Sequence, residues 1–113
     1  MAEFIKLAKV DDIAPDEMMG YVVNHVKVGI ANVGGELFAF HNCCTHQQYE
    51  LTQGFLLGER LTCDLHGATF DIRTGEVKTL PATKPLPMFD VEIRDGDVWV
   101  AVPGPDDLEM PPE

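Results

Sequence analysis

The sequence predicts an all-β fold, an antiparallel β-sandwich or small barrel, on three observations. Apolar residues alternate with polar ones in short runs, two-residue turn signals separate neighbouring runs, and the apolar spacing typical of helices is nearly absent. Typical domains contain roughly 100–150 residues, and this chain has 113. We therefore predict one domain over residues 1–113.

Four pairs of runs have the spacing of β-hairpins. In each pair, a turn signal containing glycine lies between two runs that alternate in polarity. The predicted pairs are 26–30 with 37–40, 55–57 with 60–62, 69–72 with 77–79, and 91–93 with 98–102. Successive hairpins build antiparallel sheets, whereas a parallel βαβ fold would need helices between its strands.

Three other segments lack a strand pattern. Residues 13–19 can form at most about one helical turn, because Pro15 lies within them and Gly20 follows. Residues 80–87 contain three prolines, which cannot donate backbone hydrogen bonds in a central strand, so we predict a stiff loop there. Residues 103–113 contain four prolines and four acidic residues, and we predict a flexible acidic tail.

The charge balance excludes several classes of partner. Eight basic and nineteen acidic residues give a net charge of −11, which repels nucleic-acid phosphates and anionic lipid head groups. No stretch approaches the roughly 20 apolar residues that a membrane helix needs. We expect no nucleic-acid partner and no membrane, and we expect docking to basic protein surfaces instead.

Cysteine usage indicates a reducing compartment. Residues 1–10 lack the continuous apolar region of an export signal. The three cysteines are Cys43, Cys44 and Cys63, an odd number with two adjacent, which argues against a disulfide framework. We therefore expect a cytoplasmic protein in which clustered Cys and His side chains bind metal.

Two short groups of Cys and His carry the chemistry. The first contains Cys44 and His46, and the second contains Cys63 and His66, with sixteen residues between the groups. Each group follows a predicted strand, so each can form a loop at the same end of the sheet. Two such loops would bring four metal-binding side chains together.

This C-x-H and C-x-x-H pattern resembles the Rieske family, and the resemblance extends through Gly67, residues 70–75 and Leu80-Pro81. It implies one [2Fe–2S] cluster per chain, in which two His replace two Cys on one iron. By position, Cys44 and Cys63 would hold one iron, and His46 and His66 the other. The implied fold is a Rieske-like domain in which two loops, within residues 42–80, form a small cluster-binding subdomain.

Within the family, the sequence resembles the soluble ferredoxins of aromatic-ring dioxygenases. Rieske proteins of respiratory complexes usually have an extra cysteine in each loop, whereas Gln47 follows His46 here and Asp64 follows Cys63. The resemblance implies an electron carrier and not an enzyme. It would accept one electron from a flavin-containing reductase and pass it to a terminal oxygenase, through transient contacts and as a monomer.

Alternatives from other classes stay open at this point. Cys43, His46, Cys63 and His66 also form a Cys₂His₂ set with zinc spacing, which would make a zinc-stabilised binding module. The small Rieske-like component of an assimilatory nitrite reductase would share the motif. A Cys–His hydrolase would need an oriented base and an oxyanion site, and the sequence shows neither. In the cluster interpretation, Cys43 is a buried spare thiol.

Overall fold

The computed structural model describes residues 3–43, 50–63, 68–79 and 85–104. The described residues form eleven strands and two short 3-10 helices, Val10–Asp12 and Leu51–Gln53. The strands are β1 (Glu3–Lys9), β2 (Met18–Val23), β3 (Val26–Val33), β4 (Glu36–His41), β5 (Phe55–Leu57), β6 (Arg60–Thr62), β7 (Thr69–Asp71), β8 (Val77–Thr79), β9 (Met88–Phe89), β10 (Val91–Arg94) and β11 (Asp97–Val102).

The strands form three sheets, and every pair of neighbouring strands is antiparallel. Sheet A has the order β1-β11-β10, sheet B the order β2-β3-β4-β9, and sheet C the order β5-β6-β7-β8. Sheet B is central, because one of its faces packs on sheet A and the other on sheet C. The predicted antiparallel all-β class is confirmed.

Two hydrophobic cores follow from this layering. The A–B core lies between sheets A and B, and the B–C core lies between sheets B and C. Buried members of the A–B core are Ala8, Ile13, Val26, Val28, Ile30, Ala39, Val98, Val100 and Val102. Buried members of the B–C core are Ala31, Phe40, Leu51, Leu61, Cys63, Ala68, Phe70, Ile72 and Leu86.

Strand β3 is buried on both faces because its side chains alternate in size. Branched residues such as Val28 and Ile30 point into the A–B core, and the smaller Gly29 and Ala31 lie on the other face. A Cβ atom on Gly29 would stand 2.3 Å from the ring of Phe40, its partner on β4. The missing side chain of Gly29 therefore makes room for a large core aromatic ring.

All four predicted hairpins are present: β3–β4, β5–β6, β7–β8 and β10–β11. Their turns include glycines with positive φ, namely Gly34, Gly35, Gly58, Gly75 and Gly96. Strands β1, β2 and β9 are additional, because the sequence shows no alternating run paired through a glycine turn signal for them.

The sequence allowed at most about one helical turn in residues 13–19, and they form none in the structure. The 3-10 helix ends at Asp12, and β2 already begins at Met18, where it pairs with Ala31. Asp16 between them has a φ of 66°, a left-handed conformation that interrupts a helix. Its backbone N–H donates to the carbonyl of Asn32 instead (N to O distance 2.7 Å).

The remaining predictions fall partly outside the described residues. Residues 85–87 lie before β9 and form no strand, in agreement with the proline-rich sequence, while residues 80–84 are outside the description. Residues 105–113 of the predicted tail are outside it as well. Within the described ranges, no helix has the length and apolarity required to span a bilayer.

Candidate metal centre

Of the four predicted ligands, the structure describes Cys63, and Cys44, His46 and His66 lie outside the described residues. Cys63 and the residues at the two ends of each predicted loop are the described residues next to the predicted site. Within the described residues alone, no group of three or more His, Cys, Asp or Glu side chains could hold a metal ion.

The second predicted loop is closed at its base by its own backbone. Cys63 follows β6 directly, and its N–H donates to the carbonyl of Ala68 (N to O distance 2.7 Å). Both residues are fully buried in the B–C core. The two residues that flank residues 64–67, the segment with the predicted ligand His66, therefore meet at one point of that core.

The first predicted loop is closed by a side chain that the sequence gives no reason to single out. Asn42 follows β4 and is 1% exposed. Its Oδ1 accepts a hydrogen bond from the backbone N–H of Thr52, and its Nδ2 donates to Thr52 Oγ1, both at 2.9 Å. These bonds join the two ends of the segment that contains Cys44 and His46.

Gly20 of β2 packs tightly against this junction. A Cβ atom on Gly20 would stand 3.0 Å from Asn42 Nδ2 and 3.2 Å from Thr52 Oγ1. Three sequence-distant segments therefore meet at the base of the first loop.

The proline-containing segment is attached to the same region. The backbone N–H of Leu86 donates to the carbonyl of Gly75 (2.7 Å), and the N–H of His41 donates to the carbonyl of Pro87 (2.9 Å). Gly75 has a φ of 81°, and a Cβ atom there would stand 2.1 Å from the Leu86 carbonyl oxygen. Only glycine allows this close approach of the two backbones.

The two predicted loops and the proline-containing segment are all flanked by residues of the B–C core. Phe40 and Leu51 flank the first loop, Cys63 and Ala68 flank the second, and Leu86 follows the third, and all five are members of the B–C core. The described residues that flank the predicted ligand groups thus meet on one core. A buried thiol in apolar surroundings suits a metal-bound thiolate, since bound iron neutralises the charge that burial would otherwise oppose.

The other candidate side chains near the motif have structural positions. Cys43 is 4% exposed, in agreement with the predicted buried position. His41 at the end of β4 is also buried, and its pKa lies below the usual value because burial disfavours the charged ring and because Lys27 is positively charged. His25 lies in the β2–β3 turn with a φ of 69° and is exposed.

A charged contact fastens sheet C to sheet B at the end away from these loops. Arg73, in the β7–β8 turn, bonds Glu59 through Nε and Glu36 through Nη1, the latter at 3.0 Å. Its guanidinium group lies 5.2 Å from the ring centroid of Phe38. Hydrogen bonds to Glu59 and Glu36 raise the pKa of Arg73, so it stays a cation at all physiological pH values.

The described residues form a small antiparallel β domain in which both predicted loops are closed on one core, with the buried Cys63 at the base of the second loop. The comparisons with known proteins identify the class. The family model for the Rieske [2Fe–2S] domain matches residues 3–90. The ferredoxin component of biphenyl 2,3-dioxygenase from Rhodococcus jostii (strain RHA1) is 38% identical, over 88% of this chain and 92% of the relative.

Solved structures give the same result. The Sphingomonas yanoikuyae B1 ferredoxin matches with a TM-score of 0.84 at 33% identity, over 89% of this chain and all of that one. A chain in the complex of reduced oxygenase and oxidised ferredoxin of carbazole 1,9a-dioxygenase matches with a TM-score of 0.82 at 31% identity, over 87% of this chain and 92% of that one.

The chain belongs to the Rieske [2Fe–2S] family. Within the family it is a ferredoxin, an electron carrier and not a catalytic enzyme, and its cofactor is a [2Fe–2S] cluster. The hydrolase and zinc-module alternatives do not fit this result.

Proposed function

We propose that this ferredoxin accepts one electron from a flavin-containing reductase and passes it to the terminal oxygenase of an aromatic-ring dioxygenase system. Cys44, His46, Cys63 and His66 are its cluster ligands. The observation that supports this most is the burial of Cys63 at the edge of the B–C core. The relatives named as dioxygenase ferredoxins favour an oxygenase over a nitrite reductase as the acceptor.

The proposed ligand roles follow from donor chemistry. Cys44 and Cys63 supply thiolates to one iron, and complete burial of Cys63 fits a position on the protein side of the cluster. His46 and His66 are neutral donors to the other iron, and their second ring nitrogens can face a partner. When bound, the cluster supplies a centre that gains and loses one electron.

The size of the domain favours a cluster at its edge. The Cα extents of the domain are 39 × 31 × 19 Å, so half of each length, roughly 10 to 20 Å of protein, would separate a central cluster from a partner. Loops that leave the core at one edge shorten the path for the electron. We infer that the two loops form the exit side of the protein.

The net charge of the protein bears on how it docks to its redox partners. A net charge of −11 favours transient docking to basic surfaces, because charge sets the encounter rate more than the affinity. We propose that the protein works as a monomer in the cytoplasm.

The ligand set is tested with adjacent cysteines as a matched pair. Cys44→Ser should abolish iron and acid-labile sulfide binding and the low-temperature electron paramagnetic resonance signal of the reduced protein. Cys43→Ser, one residue earlier, should keep all three. The reverse result would favour the set that uses Cys43 and would refute the proposed ligands.

Electron transfer is tested by mixing the reduced protein with oxidised terminal oxygenases of the biphenyl and anthranilate systems. Oxidation of the ferredoxin cluster, with turnover of the aromatic substrate when a flavin reductase and NADH are added, is the expected result. A reduced protein that none of these oxygenases oxidises would contradict the proposed acceptor.

A further inference from the structure

Lys27 of β3 lies at the base of the first predicted loop. The backbone N–H of Asn42 donates to the carbonyl of Lys27 (N to O distance 2.8 Å), one step beyond the paired residues Val28 and His41. The ladder between β3 and β4 therefore continues to Asn42, whose side chain joins the two ends of this loop.

The side chain of Lys27 lies on the same face of sheet B as that of Asn42. Gly29, two residues further along β3, is on the B–C face, where the ring of Phe40 occupies its space. Side chains two residues apart on a strand share a face, so Lys27 shares the face of Gly29, and Asn42 shares that of Phe40. The Lys27 and Asn42 side chains are therefore neighbours beside the base of the first loop.

Lys27 is an exposed cation that no carboxylate contacts in the described part of the chain. The ion pairs found there involve Lys6, Arg73, Lys78 and Arg94, and Lys27 is exposed. Its charge acts on the end of β4, because burial and, second, the positive charge of Lys27 lower the pKa of His41. The field of Lys27 therefore reaches the strand from which the first loop starts.

The chain length limits how far Lys27 can be from a proposed cluster ligand. Opposite residues on antiparallel strands have Cα atoms about 5 Å apart, and successive Cα atoms are about 3.8 Å apart. Cys44 follows Asn42 by two residues. The Cα atom of Lys27 therefore stands within about 13 Å of the Cα atom of Cys44.

Reduction adds one negative charge to the cluster, and the net charge of −11 on the chain opposes that addition. A nearby cation stabilises the reduced state more than the oxidised state. We propose that Lys27 raises the reduction potential of the cluster and so sets how readily the protein accepts its electron. Lys27 itself exchanges neither an electron nor a proton. This inference rests on the cluster ligands given under the proposed function.

The test compares three substitutions at Lys27 with one at a distant lysine. Lys27→Gln removes the charge, Lys27→Glu reverses it, and Lys27→Arg keeps it. The matched control is Lys9→Gln, because Lys9 is also exposed and outside the ion pairs of the described residues, but ends β1 in sheet A, on the other side of sheet B. The potential of each cluster-loaded protein is measured alone, by redox titration with dye mediators, at about 10 mM ionic strength, where the Debye length is about 30 Å.

Lys27→Gln should lower the equilibrium constant for reduction roughly two- to fivefold, a shift of about 18–41 mV at 59 mV per tenfold for one electron. Lys27→Glu should shift the potential about twice as far in the same direction. Lys27→Arg and Lys9→Gln should keep the wild-type potential, and all variants should keep the wild-type content of iron and acid-labile sulfide.

A wild-type potential in Lys27→Gln would overturn the proposal. Equal shifts in Lys27→Gln and Lys27→Arg would also overturn it, because packing and not charge would then be responsible. Equal shifts in Lys27→Gln and Lys9→Gln would assign the effect to the net charge of the whole chain. Failure of the proposed function looks different: this measurement uses no partner, so a wrong acceptor appears only on mixing with oxygenases, and a wrong ligand set appears as a cluster retained by Cys44→Ser.

Discussion

Replacing Asn42 by alanine should loosen the first cluster loop, because this side chain joins the two ends of the loop. Asn42→Ala removes both hydrogen bonds to Thr52, each 2.9 Å long. A net contribution of about 1 kcal/mol per bond, and a further penalty for the backbone N–H of Thr52 left without its acceptor, give a loss of roughly 2–4 kcal/mol in the free energy of unfolding.

Thr52→Ala provides an internal comparison, because it removes the bond to Oγ1 and keeps the bond from the Thr52 backbone to Asn42 Oδ1. Its expected cost is about 1 kcal/mol. Urea unfolding followed by circular dichroism measures both losses, and decay of the visible cluster absorption in the presence of an iron chelator measures loop opening. Asn42→Ala should release iron faster than Thr52→Ala does.

If Asn42→Ala lowers the free energy of unfolding and speeds iron release no more than Thr52→Ala does, Asn42 does not hold the loop. The same conclusion follows if Asn42→Ala unfolds more easily while iron release keeps the wild-type rate. In that case Asn42 would stabilise the sheet and not the loop.

Three further predictions follow from backbone, proton and charge effects. Gly75→Ala should destabilise the fold by roughly 2–4 kcal/mol, because it adds a Cβ atom 2.1 Å from the Leu86 carbonyl oxygen at a φ of 81°; Gly34→Ala, with open space around it, should cost only about 1 kcal/mol by urea titration. Because the pKa of His41 is lowered in the folded protein, this histidine takes up a proton in the unfolded chain, below about pH 6.5, before it does so in the folded protein. The free energy of unfolding of the wild type relative to His41→Gln should therefore be constant above that pH and decrease below it. The same difference between the two proteins in urea titrations above and below that pH would contradict this. Added salt should slow association with the oxygenase in stopped-flow mixing and leave dissociation nearly constant, whereas an association rate independent of salt would remove the steering role of the −11 charge.

The hairpins could be predicted because their signals are local. Alternating polarity determines which face of a strand is buried, and glycine at a turn supplies the positive φ, as at Gly58 and Gly96. Strands β1, β2 and β9 escaped prediction because each pairs with residues whose identity its own sequence does not reveal. Residues 13–19 form no helical turn because pairing with β3 extends β2 back to Met18.

The metal-binding chemistry could likewise be predicted from side-chain types and spacing. Cys and His are common metal ligands, and the pattern from Cys44 to His66 resembles that of the Rieske family, so the family could be recognised without knowledge of the fold. The supports of the loops could not be predicted in this way. Asn42 and Thr52 are ten residues apart, and Gly75 and Leu86 are eleven apart. The role of each pair is visible only in the folded chain, where its two residues form a hydrogen bond.

The sequence by itself therefore determined the fold class, the hairpins and the kind of metal centre, since these depend on periodicity, turn chemistry and donor type. Only the tertiary structure decided where the loops are held and what surrounds them. It joined the bases of the two predicted loops and of the proline-containing segment on the B–C core. The physical reason is that core packing and sheet register are long-range: they depend on which distant side chains share a face.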